Sequence, residues 1–195
     1  MSDGVVRGED GVTRCSWGAS TPEYRVYHDT EWGFPVADDV RLFEKLCLEG
    51  FQAGLSWLTI LRKREAFRRA FAAFDFGRVA RFTEGDVARL MQDTGIVRNR
   101  PKIEATVNNA QRALEVVQAE GSLASFAWRF EPRGREDRDD QARALARELK
   151  ARGFRFVGPT TVYAFMQAMG LVNDHAEGCD AGAAVTRARA AFKRP

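Results

Sequence analysis

The sequence predicts an all-α fold, and three observations lead to that prediction. Apolar residues recur at intervals of three and four along almost every segment, as expected for helices with one buried face. Capping residues precede several of these segments, and glycines follow some of them. No segment shows the repeated alternation of apolar and polar residues that is typical of a half-buried strand.

Two helices are predicted in the first third of the chain. Asp38 and Asp39 are capping acids, and the helix that follows them carries an apolar face to about residue 50. The next helix is predicted over residues 55–71, where apolar positions alternate with basic runs in a helical rhythm.

Two more helices are predicted in the middle of the chain. Thr83 and Asp86 resemble a capping box in its aspartate form, and Gly95 is well placed to end the helix that they begin. Pro101 suits the first turn of the next helix. The buried stripe of that helix is predicted to consist of Ile103, Val107, Ala110 and Leu114.

Residues 139–170 read as two helices joined by a short apolar turn, which makes a candidate helix-hairpin-helix with its hairpin at about 153–161. Gly158 can bring the backbone close to a phosphate, and Thr160 and Thr161 lie where the free N–H groups of a helix start point outward. Contacts of this kind hold a DNA backbone without reading its sequence. The alternative is an ordinary helical hairpin inside a bundle.

The composition describes a protein of ordinary charge in a reducing compartment. Its 195 residues are 45% apolar, which is enough for one core. With 30 basic and 27 acidic residues it is not a polycation, so affinity for nucleic acid must come from local arrangement. Three cysteines argue against a disulfide framework. The sequence has no apolar stretch of membrane-spanning length and no signal-peptide pattern, so a soluble, cytoplasmic protein is expected.

The chain has two histidines, and each lies near a cysteine at one end of the sequence. Cys15 and His28 form a Cys-x12-His pair, and His175 and Cys179 form a His-x3-Cys pair. Two sulfur and two imidazole ligands make a tetrahedral zinc inventory, and a site with four protein ligands would be structural. The alternative is that the thiols pack as small hydrophobic groups.

Aromatic residues are dense around the N-terminal pair. The tryptophans and tyrosines of this region are Trp17, Tyr24, Tyr27, Trp32 and Trp57. Core packing is the usual role of aromatic side chains. Rings interleaved with polar residues also suit a pocket that stacks a flat base, above all a cationic one, because ring faces attract positive charge.

Glu49 is the acid of greatest interest because it lies at the edge of the apolar face of its helix. Gly50 and Gly54 follow it and leave room for another group to approach. A glutamate at such a position is ordinarily solvated. A partly buried carboxylate beside aromatic rings would instead accept hydrogen bonds from a base and oppose its positive charge.

These features converge on a family. The motifs RCSW, YRVYHDTEWG, LFEKLCLEG, QAGLSW, TGIVRNRPKI, GFRFVGPTTVYAFMQAMGLVNDH and EGC together resemble the 3-methyladenine DNA glycosylase I family. The resemblance runs from Arg14 to Cys179. It implies a helix-hairpin-helix DNA glycosylase fold in which one structural zinc ion per chain joins the N- and C-terminal segments. The implied ligands are Cys15, His28, His175 and Cys179.

The resemblance also implies roles in the pocket. Glu49, in LEG, matches the family's pocket glutamate, and Trp57, in GLSW, matches its base-stacking tryptophan. Tyr27 and Trp32 match aromatics of the same pocket. The further candidates for contact with the base are Trp17, Tyr24 and Gln52.

The implied activity is excision of 3-methyladenine from alkylated double-stranded DNA, by flipping of the damaged nucleotide and hydrolysis of its N-glycosidic bond. No lysine lies in the hairpin or just after it, so a lyase step through a Schiff base is not expected. Related hairpin enzymes use an aspartate about twenty residues after the hairpin. Asp174 falls earlier than that and is not assigned this role.

The expected organisation is one glycosylase domain of two helical lobes over residues 14–179, acting as a monomer. A flexible extension is expected over 1–13 and a frayed, solvated tail over 180–195, with a partly helical extension that touches phosphates as the alternative for the tail. Two other protein classes remain open. A non-catalytic DNA-binding module would have no use for a glutamate beside the pocket tryptophan. A zinc-stapled helical interaction domain would need an exposed apolar patch and would show no salt-dependent affinity for DNA.

Overall fold

The computed structural model describes residues 4–195, and most of this chain is helical. Its helices are α1 (Pro22–Thr30), α2 (Asp39–Gln52), α3 (Trp57–Ala70), α4 (Phe76–Val79), α5 (Glu84–Gln92), α6 (Arg100–Glu120), α7 (Leu123–Trp128), α8 (Arg138–Ala151), α9 (Pro159–Ala168) and α10 (Asp180–Ala191). A three-residue 3-10 turn separates α3 from α4. The predicted helical class is therefore confirmed, with one small exception near the N-terminus.

The exception is a two-stranded antiparallel sheet of β1 (Val5–Arg7) and β2 (Thr13–Cys15). Residues 1–13 were expected to form a flexible extension, and the structure corrects that expectation for β1 and for Thr13 of β2. Strands of three residues are too short to produce a visible alternation. Residues 1–3 of the expected extension lie outside the described part of the chain.

Side-chain caps begin the predicted helices close to the expected positions. The Asp38 side chain accepts the Arg41 N–H at the start of α2. Thr83 and Asp86 form the predicted capping box of α5, which ends at Gln92, shortly before Gly95. Each cap satisfies a backbone donor that has no partner within its own helix.

The predicted stripe of α6 is only partly correct. Ile103 and Ala110 are fully buried, whereas Leu114 is 41% exposed. The buried face instead passes through Thr106 and Ala113. A threonine and an alanine do not stand out in a hydropathy pattern, and this is why the apolar leucine was chosen.

Helix α2 lies at the centre of the fold. Helices α3, α6, α7 and α9 pack against it, and every residue from Leu42 to Phe51 is buried. This enclosure carries charged residues inward along with the apolar ones, namely Glu44, Lys45 and Glu49. The position of α2 therefore determines what surrounds the glutamate that the sequence singles out.

Helices α8 and α9 pack side by side and are joined by residues 152–158. The turn after α9 brings two backbone segments into contact at Gly170, whose φ is +77°. A Cβ there would lie 2.5 Å from the carbonyl carbon of Phe34, so only glycine fits. This contact holds the end of α9 against the segment that follows α1.

The C-terminal tail is a helix and not a frayed segment. Helix α10 packs against α1 and β2, and its Ala181 and Val185 side chains are buried. Alanine is the best helix former, and its small side chain allows close packing. No helix among residues 4–195 combines the length and the apolar character needed to cross a membrane.

Candidate functional site

A cleft of about 140 Å³ opens between α1, α2, α3 and α9. Its lining residues, which together define the aromatic cleft, are Trp17, Tyr24, Tyr27, Trp32, Glu49, Gln52, Trp57, Ala164 and Gln167. The structure thus brings together all seven residues that the sequence nominates for a pocket. Helix α9 adds Ala164 and Gln167, which the sequence did not indicate.

The rings of the aromatic cleft are held at fixed angles to one another. Trp17 meets Tyr24 and Trp32 edge to face, with ring centroids 5.5 and 5.0 Å apart. Tyr27 lies 5.5 Å from Trp57 with its ring tilted by 45°. Edge-to-face contacts favour specific ring orientations, so the flat faces in the cleft are preformed for a flat ligand.

Glu49 supplies the carboxylate of the aromatic cleft. Its side chain is only 5% exposed, and Oε1 lies 2.8 Å from Nζ of Lys45, one helical turn earlier. Of the two interpretations of Glu49 that the sequence leaves open, the structure shows the buried one. A carboxylate has about four lone-pair directions. The ion pair therefore leaves Glu49 able to accept hydrogen bonds from a ligand.

Lys45 is a buried cation next to the aromatic cleft that the sequence analysis did not assign to the site. Its Nζ donates a hydrogen bond to Tyr27 Oη at 2.7 Å and lies 3.2 Å from the ring centroid of Trp57. Burial lowers the pKa of Lys45, and the nearby Glu49 carboxylate opposes that fall. Burial also raises the pKa of Tyr27 well above its ordinary value, with a further contribution from Glu49. The available signal was the four-residue spacing of Lys45 and Glu49 on one helix.

Gln167 is held in one orientation by Asp174. Its Nε2 donates to Asp174 Oδ2 at 2.8 Å, and the Tyr163 hydroxyl donates to the same oxygen at 2.6 Å. Arg138 pairs with the other carboxylate oxygen. Because the amide nitrogen is engaged, Gln167 has its carbonyl oxygen available as an acceptor in the aromatic cleft. Asp174 itself is occupied by three donors.

The four predicted metal ligands come together as a buried group, the Cys/His cluster, formed by Cys15, His28, His175 and Cys179. One ligand atom from each lies within 4.8 Å of the others. Three sulfur–nitrogen pairs of the cluster, Cys179–His175, Cys179–His28 and Cys15–His175, are 3.4, 3.5 and 3.7 Å apart. A tetrahedral ion with Zn–S of about 2.3 Å and Zn–N of about 2.0–2.1 Å has S–N edges of about 3.6 Å. The group could hold a metal ion with little movement.

Each imidazole of the cluster has a second partner that directs its free nitrogen inward. His28 Nδ1 lies 2.8 Å from Asp29 Oδ1, which leaves Nε2 facing Cys179. His175 Nε2 lies 3.1 Å from the Trp32 carbonyl oxygen, which leaves Nδ1 facing both sulfurs. Such second contacts fix the tautomer and orientation of metal-binding histidines.

The two sulfurs of the cluster are hydrogen-bonded to each other. This hydrogen bond lowers the pKa of Cys179 and raises that of Cys15. Gly18 lies over the His28 ring, where a Cβ would be 2.5 Å from the ring carbon Cγ. The cluster is thus tightly enclosed, as expected of a structural centre.

The hairpin residues lie at the start of α9, and none of them lines the aromatic cleft. Gly158 is the N-cap of α9, and Thr160 and Thr161 fall in its first turn. Gly158 has an ordinary φ of −66°, and a Cβ there would have no heavy atom within 4 Å. The fold itself therefore does not require glycine at this position.

Comparison with known proteins agrees with these features. The family model described as methyladenine glycosylase matches residues 17–182. DNA-3-methyladenine glycosylase 1 of Escherichia coli is 47% identical, with 86% of this chain and 96% of the relative covered. DNA-3-methyladenine glycosylase of Haemophilus influenzae is 44% identical, with 86% and 97% covered. The chain belongs to the methyladenine glycosylase family.

A solved structure from the same family gives the same result in three dimensions. The 3-methyladenine DNA glycosylase I of Staphylococcus aureus, described together with its recognition of 3-methyladenine, superimposes with a TM-score of 0.80 at 42% identity. The match covers 87% of this chain and 96% of that one. The predicted family and the predicted enzyme class, a glycosylase, are thereby confirmed. The roles of single residues remain predictions.

Proposed function

We propose that this protein excises 3-methyladenine from alkylated DNA by hydrolysis of the N-glycosidic bond. The observation that carries the proposal is a buried carboxylate, Glu49, in a cleft of preformed aromatic faces, within a chain of the methyladenine glycosylase family. In the reaction, the bond between the sugar C1′ and the base breaks. Water supplies the oxygen that binds C1′ and gives up a proton, and the electron pair of the broken bond leaves with the base, so that 3-methyladenine departs as a neutral molecule.

Recognition of the damaged base rests on charge and stacking. Methylation at N3 makes the adenine of the nucleotide cationic, so the base is already a good leaving group. Glu49 accepts hydrogen bonds from the base and opposes its positive charge, while Tyr27 and Trp57 enclose its faces. The base must leave the duplex stack to reach them, which costs a few kcal/mol and less for a poorly paired base.

The other lining residues complete the base-binding set. Gln167 offers its carbonyl oxygen to the exocyclic amine or ring N–H of a purine, because its amide nitrogen is held by Asp174. The remaining residues shape the cleft around the ring plane. They are Trp17, Tyr24, Trp32 and Gln52.

The enzyme is monofunctional in this proposal. A lyase step needs a free amine that attacks C1′. The amine nearest to the aromatic cleft, that of Lys45, is engaged by Glu49 and Tyr27 and is 6% exposed. Lys45 therefore has no free amine for attack on C1′, and hydrolysis leaves an abasic site.

The hairpin before α9 holds the DNA backbone in the manner of a helix-hairpin-helix motif. The first N–H groups of a helix point outward without partners in that helix and favour an anion. Thr160 is exposed there, and the open space over Gly158 lets a phosphate of the duplex approach the backbone. Binding of a duplex through its backbone should fall as the salt concentration rises. Affinity that is insensitive to salt would contradict this contact.

The Cys/His cluster holds one structural zinc ion per chain in this proposal. Its donor set of two sulfurs and two imidazoles suits zinc, and all four positions are protein atoms. The ion would join β2 and α1 to the segment before α10. It takes no part in bond cleavage. Because its proposed substrate is genomic DNA, the protein acts inside the cell. It acts there as a monomer in this proposal.

The test is base release from methylated DNA, measured by chromatography that separates 3-methyladenine from 7-methylguanine. Wild type should release 3-methyladenine selectively. Glu49→Gln should slow this release on the order of 100-fold, because a positioned charge in the site is lost. Glu65→Gln is the matched control, since its side chain is 69% exposed on α3, and it should leave release unchanged. Absence of release by folded, zinc-loaded wild type would refute the proposed function.

A further inference from the structure

Lys45 is a buried charge beside the aromatic cleft that the proposed mechanism does not use. Its side chain is 6% exposed, and its ammonium contacts three groups of the aromatic cleft: the Glu49 carboxylate, the Tyr27 hydroxyl and the Trp57 ring. All three are groups to which the proposed function assigns contact with the base. A cation placed against all of them acts on the same interactions that would select a cationic base.

The first effect is that the positive charge of Lys45 offsets the negative charge of Glu49. The Lys45–Glu49 pair spans 2.8 Å with both side chains buried, where screening by water is weak. The neighbouring acids have separate partners: Glu31 pairs with Arg64 at 2.6 Å. Glu44, which also lies on α2, pairs with Arg68 at 2.8 Å. Lys45 is therefore the cation that offsets the charge of Glu49, and its removal would leave this carboxylate without a paired cation.

The second effect is on the attraction of the Trp57 ring for a cationic base. The Lys45 ammonium lies 3.2 Å from the ring centroid, within the range of a cation–π contact. The ring's negative charge density is drawn toward that cation. A cationic base stacked on the same indole gains less from the ring than it would without Lys45, whereas a neutral base loses little.

We propose that Lys45 is a specificity-determining residue which lowers the preference of this pocket for cationic over neutral purine bases. The inference rests on the proposed function, because it takes the aromatic cleft as the base pocket. The Glu49 carboxylate still favours a cationic base, but Lys45 offsets part of that preference, so shape, stacking and hydrogen bonds contribute a larger share of recognition. The substrate class extends toward neutral alkylated purines whose outline fits the cleft.

The experiment compares binding of two free ligands by calorimetry at pH 8. One is 3,9-dimethyladeninium, a permanent cation, and the other is 3-methyladenine, which is neutral at that pH. Lys45→Met removes the charge and keeps an unbranched apolar chain. It should raise the preference for the cation about tenfold, the usual effect of one nearby charge on a neighbouring equilibrium. Lys45→Arg keeps the charge and should stay within about twofold of wild type.

The controls make the outcome decisive. Thermal unfolding of each variant shows whether it folds, and Lys45→Gln is a second neutral variant in case the methionine variant does not. An unchanged preference in a folded neutral variant would overturn the inference. A wild type that neither releases nor binds 3-methyladenine would instead refute the proposed function. Wild-type release with an unchanged preference in Lys45→Met would remove only the role of Lys45.

Discussion

The Cys/His cluster and the aromatic cleft are neighbours, but they differ in how completely their polar groups are paired. In the cluster, the donor atoms face one another and both imidazoles have a second partner. In the cleft, Glu49 and Gln167 each have one engaged atom and retain acceptor capacity. The buried Trp57 Nε1 has no hydrogen-bond partner within residues 4–195. Polar groups whose partners all lie within the protein indicate a structural centre. Polar groups with unused hydrogen-bonding capacity indicate a ligand site.

The two regions share a wall. The Trp32 ring lies 4.6 Å from the His175 ring, and the Trp17 ring lies 5.1 Å from that of His28. Both tryptophans also line the aromatic cleft. The cluster therefore supports the two tryptophan rings that also line the aromatic cleft.

Removal of the proposed zinc ion from the Cys/His cluster should have the largest effect on the stability of the protein. Purified protein should contain about one zinc ion per chain, and a strong chelator should lower the unfolding temperature by about 10 °C or more, since metal binding adds directly to folding free energy. Cys179→Ser should have a similar effect without chelator. Differential scanning calorimetry and metal analysis provide the measurements. An unfolding temperature that does not respond to chelation would show that the cluster is not a metal centre.

Substitution of Asp29 tests whether the contact of Asp29 with His28 supports metal binding by the Cys/His cluster. Asp29→Asn weakens the acceptor that orients His28, and it also weakens the pair with Arg14. Zinc affinity should fall about tenfold to 100-fold, as measured by competition with a chromophoric chelator. Asp140→Asn, at a side chain that is 75% exposed, is the matched control and should have wild-type affinity. Equal affinities for both variants would mean that Asp29 does not orient His28.

Tyr24→Phe should have the smallest effect and addresses the aromatic cleft. The Tyr24 hydroxyl accepts the Leu58 N–H in the first turn of α3. Loss of this bond should lower the free energy of unfolding by about 1 kcal/mol in urea titrations, while the ring and its stacking remain. Binding of 3-methyladenine should stay within about twofold of wild type, a difference below about 0.5 kcal/mol. A larger loss of binding would show that the hydroxyl contacts the base directly.

Much of the fold and of the candidate site could be predicted from the sequence because residue types define them directly. A cysteine–histidine pair at each end of a chain has few functions other than metal binding. The structure brings the two ends together, with Cys15 Sγ 3.7 Å from His175 Nδ1. Caps such as Thr83 depend only on residues within one turn and are therefore local signals. The motif around Glu49 and Trp57 was long enough to indicate the family.

The rest depends on what packs against each element. Lys45 reads as an ordinary charged residue of a helix, and only the enclosure of α2 makes it a buried cation. Leu114 reads as part of a buried stripe, but no element covers it. Helix α10 reads as a loose basic tail, and its Val185 is buried only because α1 and β2 lie beside it. Local sequence does not contain these neighbours.

The distance along the chain between the two halves of the Cys/His cluster has a consequence for protein synthesis. Cys15 and His175 are 160 positions apart, so a ribosome makes Cys15 and His28 long before His175 and Cys179. A nascent chain that ends before His175 has every aromatic residue of the cleft but lacks two residues of the Cys/His cluster. Synthesis of the segment that carries His175 and Cys179 is therefore a condition for completing the wall that the cluster shares with the cleft through Trp17 and Trp32.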